Sequence, residues 1–129
     1  MVGQSHRVQI RHILAPNEEI AKMIFEIIAG GKTHTKKIQT LMKLATKYSL
    51  CESKNDGGNL GWIEIASDDP RKINYQPVFK NKELEKNVRE SIFNKQLTKD
   101  RVLGPVKTKD GFHIVMISNE FGEHLHETF

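Results

Sequence analysis

Two alternating apolar runs, one near each end of the chain, constrain its fold most. In the first, Val8, Ile10, His12 and Leu14 alternate with Gln9 and Arg11, the period of a strand with one buried face. In the second, Phe112 to Ile117, His113 shares a face with Val115 and Ile117 while Phe112, Ile114 and Met116 point the other way. Gly104-Pro105 turns the chain into Val106-Lys107-Thr108, and Lys109-Asp110-Gly111 reads as a hairpin turn leading into the second run. If the terminal runs pair, the two imidazoles meet on one face of a sheet.

The middle of the chain supplies helices to cover that sheet. Pro16-Asn17 stops the first strand, and Asn17 can cap a helix whose first turn carries Glu18 and Glu19. Ile20, Met23, Ile24, Ile27 and Ile28 form its stripe, and Gly30-Gly31 ends it. A second helix follows, with Ile38, Leu41, Met42, Ala45 and Tyr48 on one face. Ser49 to Gly61 is a loop by composition, and Trp62-Ile63-Glu64-Ile65 a short strand. Ser67 to Lys82 is polar, proline-bearing and without period, hence a loop or insertion. Glu83 to Leu97 returns to helical spacing through Leu84, Val88, Ile92 and Phe93. The polar tail from Asn119 has no packing role on this reading. Strands at both ends of the chain, pairing centrally beneath helices, give an α+β antiparallel architecture.

At 129 residues the chain is long enough for one domain with its own core, and a single cysteine excludes an internal disulfide framework. A lone thiol is compatible with a reducing compartment. No apolar run approaches the roughly 20 residues needed to span a bilayer, and Met1 to Arg7 lacks the apolar stretch of a signal peptide. The expectation is a soluble cytosolic protein. Net charge is +4, with Lys32, Lys36, Lys37, Lys43 and Lys47 in a stretch free of acids. This is either a surface for nucleic acid or a solvated helix face, and the absence of aromatic or arginine-rich neighbours favours the solvated face.

The loop between the strands carries Cys51 and Gly57-Gly58-Asn59-Leu60-Gly61. The glycine run lacks the Gly-Lys-Ser/Thr ending of a phosphate loop, and a tight turn explains it better. No carboxylate or second cysteine completes a metal set with His12 and His113, and His124-Leu125-His126 places two imidazoles in the tail with nothing to join them. As a nucleophile Cys51 would need an adjacent base; otherwise it is a polar group at a site or a small space-filling hydrophobe.

In this order and spacing the segments resemble the parvulin-type peptidyl-prolyl isomerases. The resemblance runs from about Val8 to Ser118. It begins with His12-Ile13-Leu14, continues through Lys47-Tyr48-Ser49-Leu50-Cys51-Glu52-Ser53 and Gly57-Gly58-Asn59-Leu60-Gly61-Trp62, and closes with Gly104-Pro105-Val106-Lys107-Thr108 and Gly111-Phe112-His113-Ile114-Val115. It implies a sheet of about four antiparallel strands covered by three to four helices. The domain would span 8–118 with a longer segment at 63–82, between an extension at 1–7 and a tail at 119–129.

The resemblance also implies the chemistry: isomerisation of X-Pro bonds in peptides or unfolded chains, with no cofactor, by a monomer. The family's paired histidines fall on His12 and His113, its cysteine-or-aspartate position on Cys51 and its threonine on Thr108. The pocket leucine falls on Leu60, the methionine and phenylalanine positions on Leu84 and Val88, and the following aromatic on Phe93. Val88 is smaller than the ring it replaces, so the pocket should grip proline less firmly, and restoring phenylalanine there should raise activity. After His12 the loop Ala15-Pro16-Asn17 lacks the basic cluster of phosphate-reading members, so no preference for phosphoserine or phosphothreonine is expected. The rival readings are a catalytically weak peptide-binding module of the same fold and, behind it, a basic nucleic-acid adaptor.

Overall fold

A computed structural model of the chain describes residues 6–65 and 79–122. It contains β1 (His6–Ala15), α1 (Glu18–Ala29), α2 (His34–Tyr48), a short 3-10 turn (Glu52–Asp56), β2 (Asn59–Ile65), α3 (Lys82–Phe93), β3 (Leu103–Thr108) and β4 (Gly111–Phe121). The four strands form one sheet in the order β2-β1-β4-β3, with every neighbouring pair antiparallel. The two runs that bracket the chain are thus the two central strands. No helix among the described residues is long and apolar enough to cross a membrane.

Each helix begins where a side chain satisfies the first free N–H groups. Asn17 accepts from Ile20 N at 2.9 Å, Thr33 from Lys36 N at 3.1 Å and Asn81 from Leu84 N at 2.9 Å. α1 and α2 lie on one face of the sheet, over Ile13, Ala15, Ile114 and Met116. α3 lies on the other, where Val8, Ile10, Ile63, Ile65, Val106, Val115 and Ile117 meet Leu84, Val88 and Leu97. Alternation along β1 and β4 assigns side chains to these two layers, as the strand period requires.

Three boundaries differ from the sequence reading. β1 begins at His6, not Val8, and β4 runs on to Phe121, through the start of the supposed tail. Residues 119–121 do pack: Asn119 Nδ2 donates to Gln9 Oε1 at 2.6 Å, Glu120 is hydrogen-bonded to His6, and Phe121 stacks on Trp62 with ring centroids 5.4 Å apart. Arg7 pairs with Phe121 across the ladder, so the start of β1 and the end of β4 lie side by side. α3 stops at Phe93, short of Leu97, although Leu97 is buried. The apolar stripe of α1 is wider than its buried face: Ala21, Ile24 and Ile28 are covered, while Met23 and Ile27 are more than half exposed. Most of the loop assigned to Ser67–Lys82, and the His124–His126 pair, lie outside the described residues.

Candidate active site

Pairing sets Leu14 opposite His113 and His12 opposite Val115, so both imidazoles stand on the α3 side of the sheet. The rings stack with centroids 5.2 Å apart and planes 15° from parallel, and the two Nδ1 atoms are 3.1 Å apart. His113 Nε2 lies 2.7 Å from Thr108 Oγ1, which the β3–β4 hairpin brings to the same face.

The protons of this network can be assigned from its outer end. Leu84 N–H donates to the oxygen of the Asn81 amide, so the other end of that amide is its NH2 group. Asn81 Nδ2 therefore donates to Thr108 Oγ1 at 2.9 Å and to Asp110 Oδ2 at 2.9 Å. Asp110 N–H also donates to Thr108 Oγ1, at 3.2 Å. With both lone pairs taken, the threonine hydroxyl donates to His113 Nε2, and His113 Nδ1–H donates to His12 Nδ1. The remaining proton of His12 then sits on Nε2, a buried atom with no partner among the described residues.

Burial holds both rings neutral. Desolvation lowers the His12 pKa to about 3, with the neighbouring His113 adding to the effect. Desolvation also lowers His113, partly offset by the carboxylates of Asp110 and Glu83.

Cys51 reaches the same place through Ser49. The Ser49 hydroxyl accepts from Leu14 N at 3.0 Å and from Cys51 N at 3.3 Å, while Leu50 N donates to Leu14 O at 2.9 Å. The glycine loop is pressed onto the same strand: His12 N donates to Gly58 O at 2.9 Å. Gly58 has φ +80°, and a Cβ there would lie 2.3 Å from the His12 carbonyl oxygen, so this contact requires glycine.

Together these segments enclose an open cleft of about 760 Å³. His12, His113 and Cys51 line it, as do Leu60 and Leu84. Thr108 stands behind His113. The remaining two expected pocket residues are elsewhere. Val88 is 0 % exposed and buried in the core; one helical turn beyond Leu84, its short branched side chain packs against the sheet and does not reach the cleft. Phe93, five residues further on, is turned about 140° around the helix from Val88 and is 44 % exposed.

Sequence reasoning missed Leu14, Phe79, Asn81 and Asp110, all of which line the cleft. Asn81 carried a readable signal as the cap of an evident helix, and Asp110 as the first half of Asp-Gly. Phe79 carried none, because it closes a segment without period. At the cleft mouth Lys80 and Glu52 form a solvent-exposed ion pair, in which Lys80 lowers the Glu52 pKa and Glu52 raises that of Lys80. Among the described residues no three His, Cys, Asp or Glu side chains are placed to hold a metal ion.

A four-stranded antiparallel sheet in this order, with a threonine-bound histidine pair beneath a half-apolar cleft, defines a parvulin-like domain. The chain belongs to the PPIC-type PPIase domain family (rotamase), whose model matches residues 12–119. Among solved structures it is similar to a SurA-like chaperone of Campylobacter jejuni, from work on PEB4 and Cj1289 (29 % identity, TM-score 0.64, covering 89 % of this chain and 39 % of that one). PrsA of Bacillus subtilis (23 %, TM-score 0.59, 95 % and 38 %) and the parvulin NmPin of Nitrosopumilus maritimus (21 %, TM-score 0.54, 91 % and 100 %) share the fold. A curated Arabidopsis thaliana protein, the chloroplastic rhodanese-like/PpiC domain-containing protein 12, is 31 % identical over 61 residues, 47 % of this chain and 19 % of that protein. The chain thus spans about a fifth of that relative and two-fifths of the SurA-like chaperone.

Proposed function

We propose that this chain catalyses cis/trans isomerisation of X-Pro bonds in peptides or unfolded polypeptides, without a cofactor. The observation that carries the reading is the division of the cleft into an apolar wall, with Leu60 and Leu84, and a polar floor of His12, His113 and Cys51. An X-Pro bond resists rotation because amide resonance imposes a barrier of about 18–20 kcal/mol. Lowering it needs no new bond. The enzyme must hold the proline ring, remove water from the imide and favour the twisted state over both planar ones.

The apolar wall is suited to the ring. The floor is suited to the carbonyl that rotates: neutral imidazoles add no charge, and the Cys51 thiol offers a soft, weakly polar neighbour. The His12 Nε2–H, buried and unpartnered among the described residues, adds to the polarity beneath the floor and does not itself meet the substrate. His12, His113 and Thr108 chiefly hold the floor in shape, with Cys51 closest in role to the rotating carbonyl. A lone cysteine is compatible with a reducing compartment, and the proposed site of the activity is the cytoplasm.

The test is isomerisation of a panel of short X-Pro peptides by the intact protein and by Cys51→Ala. Catalysis that drops in the variant supports the reading. A folded protein that binds the peptides without accelerating any of them would instead be a peptide-binding module.

A further inference from the structure

We infer that the end of the sheet away from the cleft is a docking surface for single-stranded RNA, built from Arg7, Trp62 and Phe121 and bordered by the lysines that open α2. The inference is independent of the isomerase reading, which concerns the other face of the sheet. α1 and α2 seal their own face over Ile13, Ala15, Ile114 and Met116. Further along the strands, the alternation that sends Val8 and Ile10 to the α3 layer leaves Arg7 and Gln9 on the α1–α2 face, with Trp62 opposite Gln9. A register shift between Gln9 and Ile10 then turns the end of β4 over. Asn119 therefore stands opposite Gln9 and Phe121 opposite Arg7, not on the α3 side with Ile117.

Trp62 and Phe121 meet across β1 and stack, with ring centroids 5.4 Å apart and planes 13° from parallel. The Arg7 guanidinium carbon lies 5.9 Å from the Phe121 ring centre. Trp62 is 39 % and Phe121 58 % exposed, so this column of planar groups faces solvent. Beside it a chain of amides is fixed in place: Asn119 Nδ2 donates to Gln9 Oε1 at 2.6 Å, and Gln9 Nε2 to Asn59 Oδ1 at 3.1 Å. Cations border the column. His34 Nε2–H donates to Ile117 O at 2.9 Å, which anchors the start of α2 two residues from Asn119 and brings the exposed Lys32 and Lys36 with it. The first turn of α2 holds no acid; among the described residues Glu64, opposite Arg7, is the acid on this patch. Lysines on α2 alone fit a solvated helix face. The fold sets beside them the aromatic and arginine groups that the helix lacks. Single-stranded nucleic acid carries a planar ring and an anion in every residue, and it is held by bases stacking on aromatic side chains along a basic path. A duplex hides its base faces, and a peptide has no anion in every residue. In a cytoplasm the unpaired nucleic acid is RNA.

Trp62 is the chain's one tryptophan, so its emission reports on this surface directly. The experiment adds an unstructured RNA strand of about ten nucleotides to the intact protein, following Trp62 emission and the anisotropy of a label on the RNA. The expected result is saturable quenching of Trp62, with a Kd that rises about twentyfold between about 50 and 200 mM salt as about three phosphates are neutralised. Phe121→Ala, at an exposed position, should weaken binding about tenfold. Lys36→Ala should reduce the salt effect to about sevenfold, and melting temperatures check that both variants stay folded. Binding that leaves Trp62 emission unchanged and survives Phe121→Ala would put the RNA on the lysines alone and overturn the inference. Equal affinity for the same strand annealed to its complement would overturn it too. So would a Trp62 response to phosphatidylserine vesicles with none to RNA, which would make the patch a membrane surface. No binding at the lower salt concentration would end it outright.

Discussion

A neutral imidazole buried against another neutral imidazole makes acid the natural enemy of this site. In the unfolded chain His12 titrates near 6.5, whereas in the fold it stays neutral to about pH 3. Between those values the unfolded chain binds the extra proton. The associated stability is therefore fully present above pH 6.5 and is lost as pH falls through that window, by about 1.4 kcal/mol per pH unit from His12 alone. His113 adds to the loss in the same direction. Urea unfolding at pH 7, 6 and 5 should show this decline, and a His12→Gln variant should flatten it. Thr108→Val removes the hydroxyl that donates to His113 Nε2 and strands the Asn81 and Asp110 donors. It should cost about 1–3 kcal/mol and scramble the imidazole tautomers, which nitrogen-15 shifts report directly. Val88→Phe now carries the opposite expectation to the one its sequence position suggests. A ring forced into a site that is 0 % exposed overpacks the core by about 1–3 kcal/mol, so thermal melting should drop with no gain in isomerisation.

Among the elements, the strands were legible from the alternation in the first half of β1, but the single buried face it suggested was not what formed: α1 and α2 cover one face of the central strands and α3 the other. The register of β1 on β4 then put His12 and His113 together, and the Asp-Gly hairpin delivered Thr108. α1 was legible in position but not in width, since only tertiary contact decides that the sheet covers Ile24 and Ile28 and stops short of Met23 and Ile27. Glu85 and Arg89 look in sequence like any charged pair on a solvated helix face. Among the described residues they are met by the backbone of Glu64 and Phe79, contacts that no local pattern announces. The same reason hid Phe79. The glycine loop permits a sharp prediction at this scale. Gly58→Ala drives a methyl toward the His12 carbonyl in a left-handed backbone conformation, so it should destabilise by more than about 1 kcal/mol. It should also shift the resonances of Cys51 and His12 together, because one loop seats both.

For the whole molecule, charge and cleft are separate matters. The lysines of α2 belong to the helical layer on one face of the sheet, and the cleft opens on the other. Peptide isomerisation should therefore change less than about twofold between 50 and 200 mM salt, whereas an activity resting on nucleic acid would fall steeply over that range. The arrangement of the central strands has a mechanical consequence. Arg7 and Phe121 face each other across the β1–β4 ladder, while His12 and His113 lie further along it. A pull applied at His6 and Phe121 does not shear the ladder as a whole. It opens the ladder from one end like a zipper, loading one pair of hydrogen bonds at a time. The His6–Glu120 contact and the Trp62–Phe121 stack are the first teeth to part, and the histidine pair parts later. A domain drawn out by its two ends should thus yield at low force, with its site surviving the first extension.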